Sequence, residues 1–198
     1  MKDHSIFSGI STVRADHTVI AAVDSSYTPL TSQNATMLLI DHQIGPLWEI
    51  EFGDTRRSVA TLAQFAKRMR LPAIVTAIGI ETWGPVIPEI TEAIEDAPHI
   101  VRTSVNAWEE SRVRTAIEKT TRKKLVIAGG AGAPSVTLCA LSAAAAGHEV
   151  YCVLDASAQL GHDAIARLSR DGILITTTSL IAKEILAEQV TRRRAWRS

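Results

Sequence analysis

Residues 125–154 read LVIAGGAGAPSVTLCALSAAAAGHEVYCVL. A short apolar run leads into a glycine-rich turn at Gly129–Pro134, and Ser135–Ala146 then offers a stretch long enough for a helix. A second apolar run follows at Glu149–Leu154. A strand, a helix and a second strand in this order form a right-handed crossover that places the two strands parallel in one sheet. The stretch therefore predicts an α/β fold.

The same alternation continues on both sides of this unit. Further strands are predicted at 37–40, 72–77, 99–101 and 173–177, from short apolar runs. Further helices are predicted at 55–70, 89–95, 106–121, 163–170 and 179–190, from apolar residues at helical spacing and from caps such as Asn106. We expect one domain over 36–198, with six parallel strands and helices on both faces. Residues 1–35 are rich in Ser and Thr and weakly periodic, which predicts an extended arm.

Composition and charge exclude several classes of protein. The 198 residues include 21 Lys and Arg against 21 Asp and Glu, which argues against nucleic acid or an anionic membrane as the partner. The longest uncharged apolar stretch, Val136–Gly147, is too short to span a bilayer. Cys139 and Cys152 form neither a disulfide framework nor a zinc-binding spacing. With no secretory signal evident, we expect a cytoplasmic location.

Three chemically active side chains follow strands of the predicted sheet. Asp41 follows the first strand, Arg102 ends the third, and Ser135 opens the helix after the fourth. Ligands of open parallel sheets bind outside the carboxyl ends of the strands, so an acid, a base and a hydroxyl would share one rim. Each residue alone also has a structural interpretation: Asp41 could cap a turn, Arg102 could form a surface ion pair, and Ser135 could cap its own helix.

Other conspicuous residues favour structural roles. His42 has no second histidine or carboxylate at ligand spacing, and Trp83 and Trp108 are more typical of a core or an interface than of a substrate platform. Cys139 lies one helical turn after Ser135 and is interpreted as a small buried apolar residue.

Six short segments, in this order and spacing, resemble the isochorismatase-like, or cysteine hydrolase, superfamily and are most similar to its YcaC-like branch. They are LLIDHQ (38–43), LPAI (71–74), GPVIPE (84–89), VNAW (105–108), IAG (127–129) and ALSA (140–143). The resemblance covers about residues 35–195. It implies a three-layer α/β/α sandwich with a six-stranded parallel sheet, a Rossmann-like arrangement.

The resemblance also implies a catalytic triad of Asp, Lys or Arg, and Cys. Asp41 matches the acid and Arg102 matches the basic residue, but Ser135 stands where the superfamily has its cysteine. Gly132 stands where the superfamily has a threonine, and the superfamily's cis peptide would fall between Ala131 and Gly132. Backbone N–H groups near Ala131 and Gly132 would form an oxyanion hole.

Two residues from the matching segments, Gln43 and Trp108, are assigned to substrate binding. A serine hydroxyl ionises far less readily than a thiol and needs a positioned base. Asp41 is the candidate base, with Arg102 holding it in place or binding substrate. The predicted function is hydrolysis of a small amide, imide or related acyl compound, and ether cleavage of the isochorismatase type is a variant.

We expect a homo-oligomer, as relatives commonly are, with no cofactor. No metal is expected either, because the Asp-x-His ligand run of nicotinamidases is absent from Glu81–Pro85.

Two other functions remain open. Loss of the cysteine could mark a binding or scaffold protein that has lost catalysis. The turn Gly130–Ser135, followed by Asp155 about 20 residues later, also resembles a dinucleotide-binding fingerprint, which would indicate an oxidoreductase. That turn departs from the fingerprint at its third glycine and at Pro134.

Overall fold

The computed structural model describes residues 28–45 and 53–195, with side chains described as far as residue 190. Its centre is a single sheet of six parallel strands in the order β3-β2-β1-β4-β5-β6. The strands are β1 (Ala35–Ile40), β2 (Ala73–Ile78), β3 (His99–Arg102), β4 (Lys124–Gly129), β5 (Glu149–Val153) and β6 (Leu174–Thr176). The predicted parallel α/β fold is confirmed.

Helices cover both faces of the sheet. They are α1 (Gly53–Met69), α2 (Ile80–Trp83), α3 (Pro88–Thr91), α4 (Ser111–Glu118), α5 (Ala133–Ala145), α6 (His162–Arg170) and α7 (Thr178–Ala195). One apolar core lies under α1 and α7 and includes Met37 and Leu39 of β1. The other lies under α4, α5 and α6 and includes Leu38 and Ile40. Alternate residues of a strand point to opposite faces, so β1 supplies both cores of a three-layer sandwich.

The predicted helix over 106–121 is divided in two. Asn106 caps as expected, because its side-chain oxygen accepts a hydrogen bond from Trp108 N at 3.1 Å, but it opens only a 3-10 turn at Ala107–Glu109. Glu110 then takes an extended backbone conformation, and its carboxylate accepts from Arg112 N at 3.3 Å as the cap of α4. The competing cap at Glu110 is the physical reason that the single-helix prediction is wrong.

The segment between β2 and β3 also differs from expectation. The helix predicted over 89–95 is shorter, at Pro88–Thr91, and a one-turn helix at Ile80–Trp83 replaces part of the expected loop. The chain must turn after α3 to enter β3, and Pro98 disfavours helical backbone in the residue before it.

The predicted arm lies partly outside the described residues, which begin at 28. Residues 28–34 pack at the amino ends of the strands, where Leu30 is fully buried. Lys124 Nζ donates to Thr28 O at 2.6 Å, and Leu30 N donates to a Glu184 carboxylate oxygen at 2.7 Å. The packed domain therefore begins before residue 36. Among the described residues, no helix has the length and apolar character needed to cross a membrane.

Candidate active site

Asp41 occupies a strained turn immediately after β1. Its φ is 53°, in the left-handed region that residues other than glycine seldom adopt, although aspartate tolerates it. Asp41 N donates to Thr76 O at 3.0 Å, and Gln43 N donates to Asp41 O at 2.9 Å, so hydrogen bonds on both sides hold the strained residue. Strain of this kind concentrates at functional sites.

The Asp41 carboxylate forms a buried ion pair with Arg102. Arg102 Nη2 donates to Asp41 Oδ2, and neither side chain is exposed to solvent. Thr76, on the strand between them, donates its hydroxyl proton to Asp41 Oδ1 at 2.9 Å and accepts from Arg102 Nε at 3.4 Å. Arg102 Nη1 also donates to Ser104 O. Thr76 of β2 and Arg102 of β3 thus form one polar network with Asp41, the residue that follows β1.

Burial and charge act in opposite directions on the Asp41 carboxyl. Loss of hydration disfavours the charged form and raises its pKa, while the charge of Arg102 and the hydrogen bond from Thr76 lower it. Burial is the larger effect, so the pKa of Asp41 lies above its ordinary value. A carboxylate with a raised pKa is a stronger proton acceptor than free aspartate.

Ser135 lies at the same end of the sheet, near the start of α5, and is buried. The turn before it is fixed against the neighbouring strands, because Gly130 N donates to Ile40 O at 2.8 Å and Ala158 N donates to Gly129 O at 2.8 Å. Within the described part of the chain, no hydrogen bond joins the Ser135 hydroxyl to Asp41 or Arg102. The structure therefore joins Asp41 and Arg102 directly, and it places Ser135 at the same end of the sheet without a hydrogen bond to either of them.

The glycine-rich turn reaches this position through trans peptide bonds. The described residues contain no cis peptide, so the cis bond expected between Ala131 and Gly132 is wrong. Gly132 instead adopts φ 97° and ψ 172°, a conformation open to glycine that redirects the chain without a cis bond. At Gly129 a Cβ atom would collide with Val136 Cγ2, so the close approach of β4 to α5 excludes a side chain there.

Ala131 and Gly132, the predicted oxyanion residues, differ in exposure. Ala131 is exposed, whereas Gly132 is buried beneath the side chain of Gln159, whose Oε1 lies 3.2 Å from the point where a Cβ of Gly132 would be. The loop after β5 thus covers the turn that carries Ser135.

The side-chain amide of Gln43 is hydrogen-bonded to the protein at both its nitrogen and its oxygen. Its Nε2 donates to Gly84 O at 2.6 Å, and its Oε1 accepts from Ile78 N at 2.9 Å. This side chain ties the loop after β1 to the loop after β2. Its assignment to substrate binding stays a prediction that the observed bonds do not support.

Trp108 is half-buried and packs against the core beneath α4 and α5. Its ring meets that of His148 edge to face, with centroids 5.3 Å apart and planes at 74°. Its side chain therefore fills a structural position between two elements, and substrate contact by Trp108 stays a prediction.

His42 is a buried structural residue. Its Nε2 lies 2.9 Å from Ala156 O, and its backbone oxygen accepts from Ile87 N at 2.9 Å. Burial lowers the pKa of His42 to about 4, which keeps the ring neutral at physiological pH.

The lowered pKa of His42 makes stability depend on pH. Unfolding returns the imidazole to a pKa near 6.5, so the unfolded chain takes up a proton as the pH falls below that value. The stabilisation is complete above about pH 6.5 and is lost towards pH 4. From His42 alone, the free energy of unfolding measured by urea denaturation should be about 2 kcal/mol lower at pH 5 than at pH 7.5.

Two variants isolate the His42 contribution. His42→Gln should lose most of this difference, whereas His162→Gln should retain it because His162 is exposed on α6. An equal pH dependence in His42→Gln and the parent protein would rule the assignment out.

Neither cysteine offers a thiolate. Cys139 and Cys152 are both fully buried, and burial raises the pKa of each to about 12. The described residues also hold no cluster of three or more histidine, cysteine or carboxylate side chains arranged to bind a metal ion.

The acid required by the dinucleotide hypothesis has another partner. Asp155 Oδ1 accepts from Thr178 N at 2.8 Å and from Thr178 Oγ1 at 3.1 Å, so it caps the start of α7. This use of the carboxylate removes support from its predicted contact with a ribose.

Thr76 is the site residue that sequence reasoning missed. It is the polar residue in the otherwise apolar sequence AIVTAI of β2, a strand that is buried on both of its faces. Polar residues are unusual in such strands, so Thr76 carried a signal that the strand prediction passed over.

Comparison with known proteins places the chain in one family. The Isochorismatase domain matches residues 35–179. Probable hydrolase YcaC of Escherichia coli K12 is 36% identical over 169 residues, which cover 80% of this chain and 81% of that protein.

Solved structures agree. The crystal structure of the Escherichia coli YcaC gene product, an octameric hydrolase of unknown specificity, has a TM-score of 0.76 at 34% identity over 81% of this chain and 83% of that one. YcaC from Pseudomonas aeruginosa, with hexane-2,5-diol and covalent acrylamide, has a TM-score of 0.76 at 30% identity over 82% and 85% of the two chains. The predicted resemblance is confirmed at the level of the family: the chain belongs to the isochorismatase family, in its YcaC-like branch.

Proposed function

We propose that this protein is a hydrolase of small amides, imides or related acyl compounds, with Asp41 as general base, Arg102 as its positive partner and Ser135 as nucleophile. The observation that carries the proposal is the buried ion pair of Asp41 and Arg102, placed at the strand ends beside the helix that begins near Ser135. A carboxylate held without solvent, with a raised pKa, is suited to taking a proton.

Ser135 is the nucleophile that best fits the chemistry of the chain. Burial keeps both thiols neutral, and the sequence resemblance predicts that Ser135 takes the position of the superfamily's cysteine. In the proposed reaction, Asp41 takes the hydroxyl proton as Ser135 Oγ attacks the carbonyl carbon, which gives an acyl-serine and releases the amine with that proton. Water activated by the same carboxylate then cleaves the ester. Catalytic hydrogen bonds often form only in the substrate complex, so the absence of a bond between Ser135 and Asp41 is compatible with these roles.

Arg102 serves this reaction by holding Asp41. Each of its three nitrogens already donates to the protein, to Asp41, Thr76 and Ser104. Arginine stays protonated in proteins, so Arg102 supplies charge and orientation and transfers no proton. Backbone N–H groups of the turn 131–135 would hold the oxyanion of the tetrahedral intermediate.

Relatives support both the class of reaction and an assembly. The Escherichia coli YcaC structure is of an octameric hydrolase of unknown specificity, which supports hydrolysis and an assembly of several copies. By this similarity we propose that the present chain is also a homo-oligomer.

The proposal is tested with a panel of small amides, imides, esters and enol ethers, assayed with the parent protein and three variants. We expect the parent protein to turn over an acyl substrate and Ser135→Ala to lose that turnover. Mass spectrometry should detect an acyl-enzyme only in proteins that have a serine or cysteine at position 135. Ser169→Ala, an exposed serine on α6, is the matched control and should behave as the parent does.

The same panel separates two alternatives. Turnover of an enol ether that survives Ser135→Ala would assign the reaction to Asp41 without a covalent intermediate. The missing bond between Ser135 and Asp41 favours a second candidate, a binding protein that has lost catalysis. An inert parent combined with an active Ser135→Cys variant would select that candidate and refute the proposed serine chemistry.

A further inference from the structure

We propose that Thr76 is a positioning residue whose hydroxyl holds the Asp41 carboxylate and the Arg102 guanidinium in the arrangement that the reaction requires. This inference rests on the proposed function, because it assigns Thr76 a part in preparing the proposed base. Thr76 contacts both charged side chains, on the strand that lies between the two strands that carry them.

The hydroxyl does two things at once. It donates its proton to Asp41 Oδ1 at 2.9 Å, and its oxygen accepts from Arg102 Nε at 3.4 Å. The direction of each bond is fixed, because the guanidinium is only a donor and the ionised carboxylate is only an acceptor. A side chain without a hydroxyl can make neither bond, whereas serine can make both.

The register of the sheet explains how Thr76 reaches both side chains. Residues opposite each other in neighbouring strands are Ile40 and Thr76, and then Thr76 and Ile100, so Thr76 lies one residue before Asp41 and two before Arg102 along the sheet. Thr76 is completely buried. Its backbone oxygen also accepts from Asp41 N at 3.0 Å, so one residue fixes both ends of the strained aspartate.

The consequence is a defined effect on proton transfer. The Thr76 hydroxyl bonds to the ionised carboxylate, so removing it should raise the pKa of Asp41 and move the acid limb of the rate profile to higher pH. Among the described residues, the other charged or titratable groups that act on this carboxyl are Arg102 from β3 and Cys139 from α5, and burial keeps that thiol neutral. Neither is altered chemically in a Thr76 variant.

The experiment compares Thr76→Val, which keeps the shape and removes the hydroxyl, with Thr76→Ser, which keeps the hydroxyl. On the acid limb, kcat/KM should fall about tenfold in Thr76→Val, the value expected for one lost hydrogen bond to a charged group. Thr76→Ser should retain the profile of the parent protein. Thr137→Val is the matched control, because Thr137 is also buried and its hydroxyl has no partner among the described residues.

A second readout does not need turnover. Carbon-13 NMR of the Asp41 carboxyl follows its titration directly in the parent protein and the variants, and the midpoint should move to higher pH in Thr76→Val but not in Thr76→Ser. If no substrate is found, the proposed function fails while this titration still tests Thr76. An unchanged midpoint in Thr76→Val, or an equal shift in Thr76→Ser, would overturn the inference. Thr76→Ala serves the same purpose should Thr76→Val fail to fold.

Discussion

Replacing Arg102 by methionine should lower the free energy of unfolding by about 3–5 kcal/mol. The reason is the carboxylate that the substitution leaves behind. Asp41 and Arg102 are both without solvent exposure, and their charges compensate each other in the sheet. Methionine can occupy the space of the arginine stem, so most of the loss would come from an unpaired buried charge and little from a cavity. Urea denaturation of the folded protein at neutral pH measures the change.

The loss of unfolding free energy in Arg102→Met should depend on pH, in a direction set by Asp41. The positive charge of Arg102 lowers the pKa of Asp41, so its removal raises that pKa further. As the pH falls, the carboxyl in the variant becomes protonated first, and the deficit relative to the parent protein should shrink. Adding Asp41→Asn to Arg102→Met should likewise restore much of the stability, because it removes the unpaired charge.

An exposed ion pair gives the control for this experiment. Arg57 and Asp54 are joined at 2.9 Å on the surface of α1, where water screens the interaction. Arg57→Met should change stability little. If Arg102→Met were equally mild at neutral pH, the buried pair would not be the stabilising unit inferred here.

The features that could be predicted from sequence are those set by local pattern. Short runs of three to six residues predicted the strands, and the parallel crossover rule predicted the sheet that brings Asp41 and Arg102 to one rim. The direct ion pair could not be predicted in the same way. It depends on the strand order β3-β2-β1, which makes Thr76 the residue between the two charges, and strand order is a property of the whole chain.

The errors have equally local causes. Two capping side chains compete near the start of α4, and a sequence pattern that finds the cap at Asn106 does not show that Glu110 will interrupt the helix. The glycine at position 132 permits a positive φ, which removes the need for the cis bond that the resemblance implied. The sequence also does not show that the side-chain amide of Gln43 is already hydrogen-bonded. Its two partners, Ile78 N and Gly84 O, lie at the end of β2 and in the loop that follows.

Replacing Asp41 by asparagine should lower kcat/KM by about 10²–10⁴-fold near pH 7.5, the usual contribution of a general base. Asparagine nearly matches the shape of aspartate and keeps one oxygen that can accept a hydrogen bond from Arg102 or from Thr76, but its amide cannot take up the proton. Steady-state rates on the best acyl substrate of the panel measure the loss. Asp171→Asn, an exposed residue after α6, should leave the rate unchanged.

The pH profile decides which role Asp41 plays. A general base must be ionised, so kcat/KM of the parent protein should rise with pH through the pKa of Asp41, which burial places above the ordinary value for aspartate. Asp41→Asn should lose that rise along with the rate. If kcat/KM instead falls as the pH rises through the same region, the carboxyl acts in its protonated form, and the ether-cleaving reaction replaces acyl transfer. A folded Asp41→Asn variant with the full rate of the parent would exclude both roles. The carboxylate of Asp41 would then serve only the stability of the fold, through its ion pair with Arg102.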